Sequence, residues 1–472
     1  MNDLQKNVLE LIENGTLLGV DAYESAIDNQ TAFGSALPKG IVQKNAIATS
    51  VEDVVEVKKI KKIIAKDFDG VVDIDIADIK ACAKTTDSFI ELFSSKYEQI
   101  KNILLSHQGL KNTVSISTAL KSTGGEETVI GMIYDIFTTK SGKLMAEIED
   151  GSGRMKVFFT ERAGTDAERV LVDDVIGMKG RISREYMFVD DIIWPDVPAS
   201  VTRTISDPLS AVFISDLHYG SKEFIQKIES RFIKWINSAD RDASRVKYLF
   251  VGGDVADGIG IYPGQEEDLQ IKDIFGQYKK FEELFETIPE HIQVMVCAGN
   301  HDAMGLAEPQ PKLPRKFLPT IYDFKNLHLT QNPSNIRIHG MDTGGINVLM
   351  YHGYSFTSII DAVPELRRLG MSEPQHVMKD VLRRRHLAPT YGATVVNPLE
   401  IDPLVIKTVP DIFHTGDLHS HAVDKYKSTT LVSSSTFQGQ TSFMDRVGHK
   451  ATPGKITCVE LDTRRVIVKD FL

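Results

Sequence analysis

Five short apolar runs, each followed at once by a polar cluster, place the strongest constraint on how this chain folds. The runs span 211–215, 248–251, 292–297, 348–351 and 411–415, and their composition predicts buried β-strands. The carboxyl ends of parallel strands in an α/β sheet meet along one edge, where ligands bind. We therefore expect the five clusters to converge on one site. They are Asp216-Leu217-His218, Gly252-Gly253-Asp254, Gly299-Asn300-His301-Asp302, Tyr351-His352-Gly353 and Gly416-Asp417-Leu418-His419.

The residue types in these clusters predict a pair of divalent metal ions. Carboxylate, amide and imidazole donors suit Mn²⁺, Fe²⁺, Zn²⁺ or Mg²⁺. The clusters contain no cysteine, which argues against a structural zinc site. Two such ions a few Å apart hydrolyse phosphate esters, and Asp254 is the natural bridging carboxylate between them. His301 is placed to protonate the leaving oxygen. Any one cluster alone is more often a turn or a helix cap, so the prediction depends on the ordered set.

Composition excludes several other classes of protein. The formal net charge of −11 over 472 residues argues against a protein that coats nucleic acid through bulk positive charge. Cys82, Cys297 and Cys458 are odd in number and far apart, so we expect no disulfide framework. No run has the length of a membrane span, and the first residues do not resemble a signal peptide. We therefore expect a cytoplasmic protein.

Sequence periodicity divides the chain into four parts. Residues 1–35 predict a small helical unit, and 36–112 a linker with a lead-in helix over 88–107. Residues 113–200 carry five short β-type runs with a helical insert, which predicts an OB-type barrel. The runs span 129–133, 143–148, 155–159, 175–182 and 187–193, with the insert at 165–172. Their few aromatics and many acids leave single-stranded nucleic-acid binding and protein docking equally open. Residues 201–472 predict one α/β domain.

The ordered clusters resemble the calcineurin-like metallophosphoesterase superfamily over 207–472. That resemblance implies an αββα four-layer domain and phosphate-ester hydrolysis, with His301 as the catalytic acid. It also implies two ligand sets that share one carboxylate. The first set is Asp216, His218, Asp254 and His419, and the second is Asp254, Asn300, His352 and Asp417.

The flanks of the clusters resemble a narrower group. Asp257 is followed by Gly258 and Ala298 precedes Gly299, so the arginines with which protein phosphatases of the superfamily clamp a monoester are absent here. The runs 253–265, 299–303, 307–311 and 384–392 resemble instead the small subunits of archaeal family D DNA polymerases. The order of helical unit, barrel and α/β domain extends this resemblance over most of the chain.

The resemblance implies a proofreading 3′–5′ exonuclease that needs two divalent ions, with Mn²⁺ as the favoured metal. The implied partners are a large catalytic subunit, single-stranded 3′ ends of DNA and a sliding clamp, and the implied location in the cytoplasm is with the nucleoid. An inactive scaffold subunit and a free-standing phosphodiesterase are the alternatives. Basic residues beside the clusters mark a candidate DNA path, although a solvated surface would explain each of them. They are Lys312, Arg315, Lys316, Arg384 and Arg385.

The last cluster departs from the superfamily pattern. The superfamily has Gly-His-x-His, whereas Gly416 is followed here by Asp417, and histidines stand at His419 and His421. The strand at 411–415 and Gly416 fix a register in which Asp417 and His419 are ligands. A shifted register would use His419 and His421 instead. Metal content of alanine variants at Asp417 and His421 distinguishes the two.

Overall fold

The computed structural model describes residues 62–76, 84–122, 124–140, 142–340 and 344–472. The predicted N-terminal helical unit and Cys82 lie outside the described residues. The segment 62–76 corrects the linker prediction, because β1 (Val72–Asp75) pairs antiparallel with a strand of the C-terminal domain, Val72 facing Ile338. This edge strand was missed because its acidic residues at alternate positions leave too little apolar content for a strand signal.

The predicted lead-in helix is confirmed as α1 (Thr86–Leu105). Thr85 caps it by accepting a hydrogen bond from the backbone N–H of Ser88. Its buried face includes Ile100 and Leu104, which pack on residues of both the barrel and the C-terminal domain. The helix is therefore part of the junction between the two domains.

All five β-type runs of the middle segment form strands that close into a barrel in the order β2-β3-β4-β6-β5. The parallel pair is β4 with β6, and the other pairs are antiparallel. The insert is shorter than predicted, at Gly164–Ala167 (α3), and α2 (Ile116–Ala119) precedes the barrel. The OB assignment of this barrel stays a prediction. The strands are β2 (Gly125–Thr138), β3 (Leu144–Asp150), β4 (Gly153–Phe159), β5 (Val175–Ser183) and β6 (Tyr186–Ile193).

The C-terminal domain is built on two six-stranded sheets that pack face to face, and the second of them includes β1 from outside the domain. The first has the order β10-β9-β8-β7-β16-β17, with β7 to β10 parallel. Its strands are β7 (Ser210–Ile214), β8 (Val246–Val251), β9 (Gln293–Val296), β10 (Leu327–Leu329), β16 (Lys455–Glu460) and β17 (Val466–Asp470). The second sheet has the order β1-β11-β12-β13-β15-β14. Its other strands are β11 (Ser334–Ile338), β12 (Ile346–Met350), β13 (Ile412–Thr415), β14 (Ala422–Tyr426) and β15 (Thr429–Ser433).

Apolar side chains join the layers. Phe213 and Phe250 of the first sheet pack on Val348 and Ile412 of the second, all fully buried. Helices α4 (Gln226–Ile236) and α5 (Ile274–Thr287) cover the outer face of the first sheet. Helices α6 (Phe356–Ala362), α7 (Pro364–Leu369) and α8 (Pro374–Arg384) cover the second. The layers run helix, sheet, sheet, helix, in agreement with the predicted four-layer arrangement. In the described part of the chain, no helix has the length and apolar character to span a membrane.

Candidate metal centre

The five polar clusters follow the carboxyl ends of strands from both sheets. β7, β8 and β9 run parallel in the first sheet, and β12 and β13 run parallel in the second. Because the sheets face each other, the loops after these strands meet at one end of the interior. Every predicted metal ligand comes from these loops, and all are buried or nearly so.

The ligand loops have an unusual backbone. Five of the predicted ligands have positive φ angles, which residues other than glycine rarely adopt. Such strained conformations persist where the surrounding structure holds them and are concentrated at functional sites. The two Asp-Leu-His runs share the feature at both ends. The angles are 55° at Asp216, 50° at His218, 48° at Asp254, 64° at Asp417 and 50° at His419.

Close approach between loops requires glycine at two points. A Cβ at Gly299 would lie 2.1 Å from Asp254 Oδ1 and 2.7 Å from His352 Nε2. A Cβ at Gly416 would lie 2.4 Å from Asp216 Oδ2. The glycines before the Asn300 and Asp417 clusters therefore let the ligand side chains come together.

The first predicted ligand set forms one compact group. Nε2 of His218 lies 2.9 Å from Nε2 of His419, and His419 Nε2 lies 3.3 Å from Asp216 Oδ1. Asp216 also accepts hydrogen bonds from the backbone N–H of Asp417, at 3.1 and 3.2 Å. The two Asp-Leu-His loops thus lie directly against each other.

The second set converges on His352. Its Nε2 lies 2.8 Å from Asn300 Oδ1, 3.3 Å from Asp254 Oδ2 and 3.7 Å from Asp417 Oδ1. Its Nδ1 donates to the backbone oxygen of Gly252 at 2.8 Å, which fixes the ring and leaves Nε2 facing the other donors.

Asp254 lies between the two sets. Its Oδ2 is 3.7 Å from Nε2 of His218 and 3.3 Å from Nε2 of His352. Its other oxygen accepts from the backbone N–H of His301 at 2.8 Å. A carboxylate in this position could be a ligand of two ions, one held by each set.

The pKa values in the site are shifted because carboxylates and imidazoles are buried close to one another. Burial disfavours the charged form of Asp254, but the charges of His352 and His301 outweigh it and hold its pKa below the usual range. Burial likewise opposes protonation of His352, yet Asp254, Asp216 and Asp417 raise its pKa well above the ordinary value. Burial raises the pKa of Asp417 to about 6.

The donor atoms fit a pair of divalent ions. In the described ranges, no lysine or arginine forms an ion pair with Asp216 or Asp254, although both carboxylates are buried. A buried carboxylate is costly unless a positive charge compensates it, and these imidazoles supply one only when protonated, whereas a bound divalent ion would supply it with neutral imidazoles as ligands. Nε2 of His218 and Nε2 of His419 face each other across 2.9 Å, where two lone pairs repel unless a proton or a cation lies between them.

His301 lies at the edge of the group. Its Nδ1 donates to the backbone oxygen of Asp257 at 2.8 Å, and its ring centre is 4.8 Å from that of His218. Burial alone would lower its pKa, but Asp254 and Asp257 raise it. The side chain can therefore hold a proton on Nε2 beside the ligand groups.

Two buried aspartates, without a role predicted from the sequence, hold the predicted metal ligands in position. Asp257 accepts from Nδ1 of His218 at 3.0 Å and from Gln438 Nε2 at 3.0 Å. Asp302 accepts from the backbone N–H of Gly299 at 2.9 Å and from the Tyr278 hydroxyl at 2.9 Å. Both lie within three residues of a predicted site residue, and that proximity was the available signal.

The second histidine of the last cluster lies apart from the ligands. Nε2 of His421 contacts Thr457 Oγ1 at 2.9 Å, and its backbone N–H donates to Thr452 Oγ1 at 2.7 Å. Burial lowers its pKa to about 4. The geometry brings Asp417 and His419 into the donor groups and leaves His421 outside them.

The predicted DNA path divides into two unlike groups. Lys312, Arg315 and Lys316 are exposed, and Arg315 pairs with Asp323 at 2.5 Å. The structure corrects the prediction that Arg384 and Arg385 contact DNA. Both side chains are buried, and their guanidinium groups already donate hydrogen bonds within the protein. Arg384 binds Asp380 at 2.7 Å as well as Asp174 and the backbone oxygen of Arg169. Arg385 donates to the backbone oxygens of Ile406 and Lys407, each at 2.6 Å.

Comparison with known proteins gives the family. The family model for the B-subunits of DNA polymerases alpha and epsilon matches residues 211–424. A DNA polymerase II small subunit of Thermoplasma acidophilum is 36% identical over 464 residues, which cover 97% of this chain and 91% of the relative. The chain belongs to the family of archaeal DNA polymerase II small subunits. The small subunit of Archaeoglobus fulgidus is 36% identical over 411 residues, covering 85% of this chain and 80% of that one.

The match to the Thermoplasma relative covers the barrel as well as the candidate metal centre, whereas the family model covers residues 211–424 alone. It confirms the resemblance to archaeal polymerase small subunits that the sequence motifs indicated. Among solved structures, one described as a novel archaeal phosphodiesterase aligns over 56% of this small subunit and 99% of its own chain, with 11% identity and a TM-score of 0.28. A likeness at that score carries no functional argument.

Proposed function

We propose that this chain is a 3′–5′ exonuclease that hydrolyses DNA phosphodiesters with two divalent metal ions and proofreads for a polymerase. The observation that carries the proposal is the position of Asp254 between two donor groups, 3.7 Å from His218 and 3.3 Å from His352. Sites of this kind clamp a phosphate group and lower the pKa of the attacking water.

The chain's own residues divide the work. Asp216, His218 and His419 would hold one ion, Asn300, His352 and Asp417 the other, and Asp254 would contact both. Asp257 fixes the His218 ring through its Nδ1, so that Nε2 faces His419 and would be free to bind an ion. His301 would donate a proton to the leaving 3′ oxygen from Nε2, since its Nδ1 is engaged by the backbone of Asp257. Mn²⁺ is the metal that we expect to support the highest rate.

The partner follows from the family. The relatives are named small subunits of DNA polymerase II, and we propose that this chain likewise binds a large subunit that carries polymerisation. The exposed Lys312, Arg315 and Lys316 remain candidates for contact with DNA phosphates.

The test uses the purified full chain, alone and with its large subunit, on single-stranded DNA labelled at either end. With Mn²⁺ we expect 5′-labelled DNA to shorten in single-nucleotide steps and 3′-labelled DNA to release the label first. His301→Gln should keep its bound metal but lose about 10²- to 10⁴-fold in rate. That pattern excludes a contaminating nuclease. Absence of stepwise shortening in both preparations would refute the exonuclease and favour a scaffold subunit.

A further inference from the structure

Beside the metal centre, two aromatic side chains from separate segments stack on each other at the surface. The rings of Tyr262 and Phe443 have centroids 5.6 Å apart and an interplanar angle of 23°. Phe443 is 46% exposed, and the neighbouring Ile259 and Ile261 are 48% and 38% exposed. Large apolar side chains grouped at a surface mark a binding site more often than a random exposed residue does.

The segment that carries Tyr262 is fastened to a residue that positions a ligand. Gln265 donates from Nε2 to the backbone oxygen of Asp257 at 2.8 Å and accepts from the Ile261 N–H at 2.9 Å. Asp257 in turn contacts His218 at 3.0 Å. The loop at 258–264 therefore borders the first donor group.

The segment that carries Phe443 is fastened at both ends to the same site. On one side Gln438 donates to Asp257 at 3.0 Å. On the other, Nε2 of His449 donates to the backbone oxygen of Leu418, between Asp417 and His419, at 2.6 Å. The short helix α9 (Ser442–Val447) thus spans the rim from Asp257 to the last ligand loop.

Charges of both signs surround the aromatic pair. Arg446 and Lys450 are exposed on the segment that carries Phe443, whereas Asp445 is exposed on the same segment and Asp268 accepts a hydrogen bond from the Tyr262 hydroxyl at 3.0 Å. Aromatic faces stack on any nucleobase, and adjacent cations contact the backbone phosphates. A rim that combines both, next to a site for phosphodiesters, fits single-stranded DNA better than it fits an apolar peptide.

We infer that the Tyr262–Phe443 pair stacks on a nucleobase near the 3′ end and so holds the single strand with a phosphodiester over the metal centre. This inference rests on the proposed exonuclease function and adds the part of the substrate that is recognised, a base rather than the phosphate alone. It predicts that a strand whose terminal nucleotides lack bases is a poorer ligand and a poorer substrate.

The first experiment measures binding without hydrolysis. The full chain in EDTA is titrated into single-stranded DNA that carries 2-aminopurine at the 3′ end, whose fluorescence falls on stacking. We expect quenching by the unmodified chain and by Phe443→Trp, which keeps a stacking face, and little quenching by Phe443→Leu. Phe324→Leu is the matched control, because Phe324 is 44% exposed and packs on Phe285 of α5. Circular dichroism checks that each variant is folded.

The second experiment compares Mn²⁺-dependent rates on strands with normal and abasic 3′ nucleotides. The unmodified chain and Phe324→Leu should prefer the base by about 5- to 100-fold, the range of base–aromatic stacking, and Phe443→Leu should lose that preference. Equal quenching and equal preference in Phe443→Leu would overturn the inference and favour a docking face for a protein. If no strand is shortened, the exonuclease proposal fails, and the quenching measurement still decides whether the pair stacks on a base.

Discussion

The candidate metal centre and the junction between barrel and C-terminal domain both bury several charges, but they differ in what neutralises them. At the junction the cation is part of the chain. Arg384 lies between Asp174 and Asp380, and Arg169 pairs with Asp380 at 3.1 Å and with Glu365. At the candidate metal centre the only ion-pair partners of Asp216 and Asp254 among the described residues are imidazoles.

The kind of partner that each buried carboxylate has distinguishes a cluster that holds the fold together from one that can bind a metal ion. A buried carboxylate paired with a guanidinium has its charge satisfied, and the pair holds two elements together. A buried carboxylate that meets only neutral or titrating groups keeps a demand for a cation. Composition does not distinguish the two, because both contain acids beside basic residues. Only the pairing does.

Removing the shared carboxylate at the metal centre should have the largest effect. In Asp254→Asn we expect the rate of DNA hydrolysis to fall at least about 10³-fold, because both ions lose a ligand. Mn²⁺ should raise the melting temperature of the unmodified chain through mass action but not that of the variant. Elemental analysis, rate measurement and calorimetry test this. Asp424→Asn, which removes a surface pair with Lys379, is the control. Normal metal content and rate in Asp254→Asn would refute the bridging role.

Removing the guanidinium at the junction should mainly cost stability. Arg384→Met leaves Asp174 and Asp380 buried without this partner, and we expect a loss of about 3–5 kcal/mol in the free energy of unfolding. Urea denaturation measures it. Adding Asp174→Asn should recover part of the loss, since one uncompensated charge is removed. Metal content should not change, and a loss below about 1 kcal/mol would contradict the structural role.

Glu308 accepts a hydrogen bond from the Tyr351 hydroxyl at 3.0 Å, beside His352 of the candidate metal centre, and should make the stability of the fold depend on pH. It is buried, and burial raises its pKa from 4.5 to about 8. Between these values the unfolded chain loses this proton while the folded chain keeps it, so stability falls as pH rises. Glu308→Gln should remove this fall and gain on the order of 5 kcal/mol relative to the unmodified chain above pH 8. Thermal unfolding from pH 4.5 to 9 checks it, and parallel curves would contradict it.

The choice between Asp417 and His421 sharpens the ligand set. Asp417 lies 3.7 Å from His352, whereas His421 contacts Thr457. Asp417→Ala should weaken metal binding at least about tenfold, and His421→Ala should leave it within about twofold. Titration of Mn²⁺ measured by calorimetry compares them. Loss of affinity in His421→Ala alone would support the shifted register.

The exposed cations should give the smallest effect. Lys312→Gln combined with Lys316→Gln should weaken single-strand binding and reduce the slope of log affinity against log salt by about 0.7 for each lost phosphate contact. Lys280→Gln, an exposed lysine of α5 that pairs with Glu283, is the control. An unchanged salt slope would place the DNA path elsewhere.

The sequence by itself determined the strands that carry the site and the residues at their ends. The strand at 211–215 could be predicted because a buried strand is continuously apolar, and the clusters because they follow such strands directly. Order along the chain and the identity of the donor atoms were enough to predict Asp216, Asp254 and His352 as ligands.

Tertiary structure decided what depends on contacts between distant residues. Arg384 reads as a surface cation in sequence, but it lies 210 positions from its partner Asp174, and no local pattern encodes that pair. The roles of Asp257 and the stacking of Tyr262 on Phe443 are of the same kind. Periodicity reports which face of an element is buried, whereas the fold alone determines which charges and rings meet there.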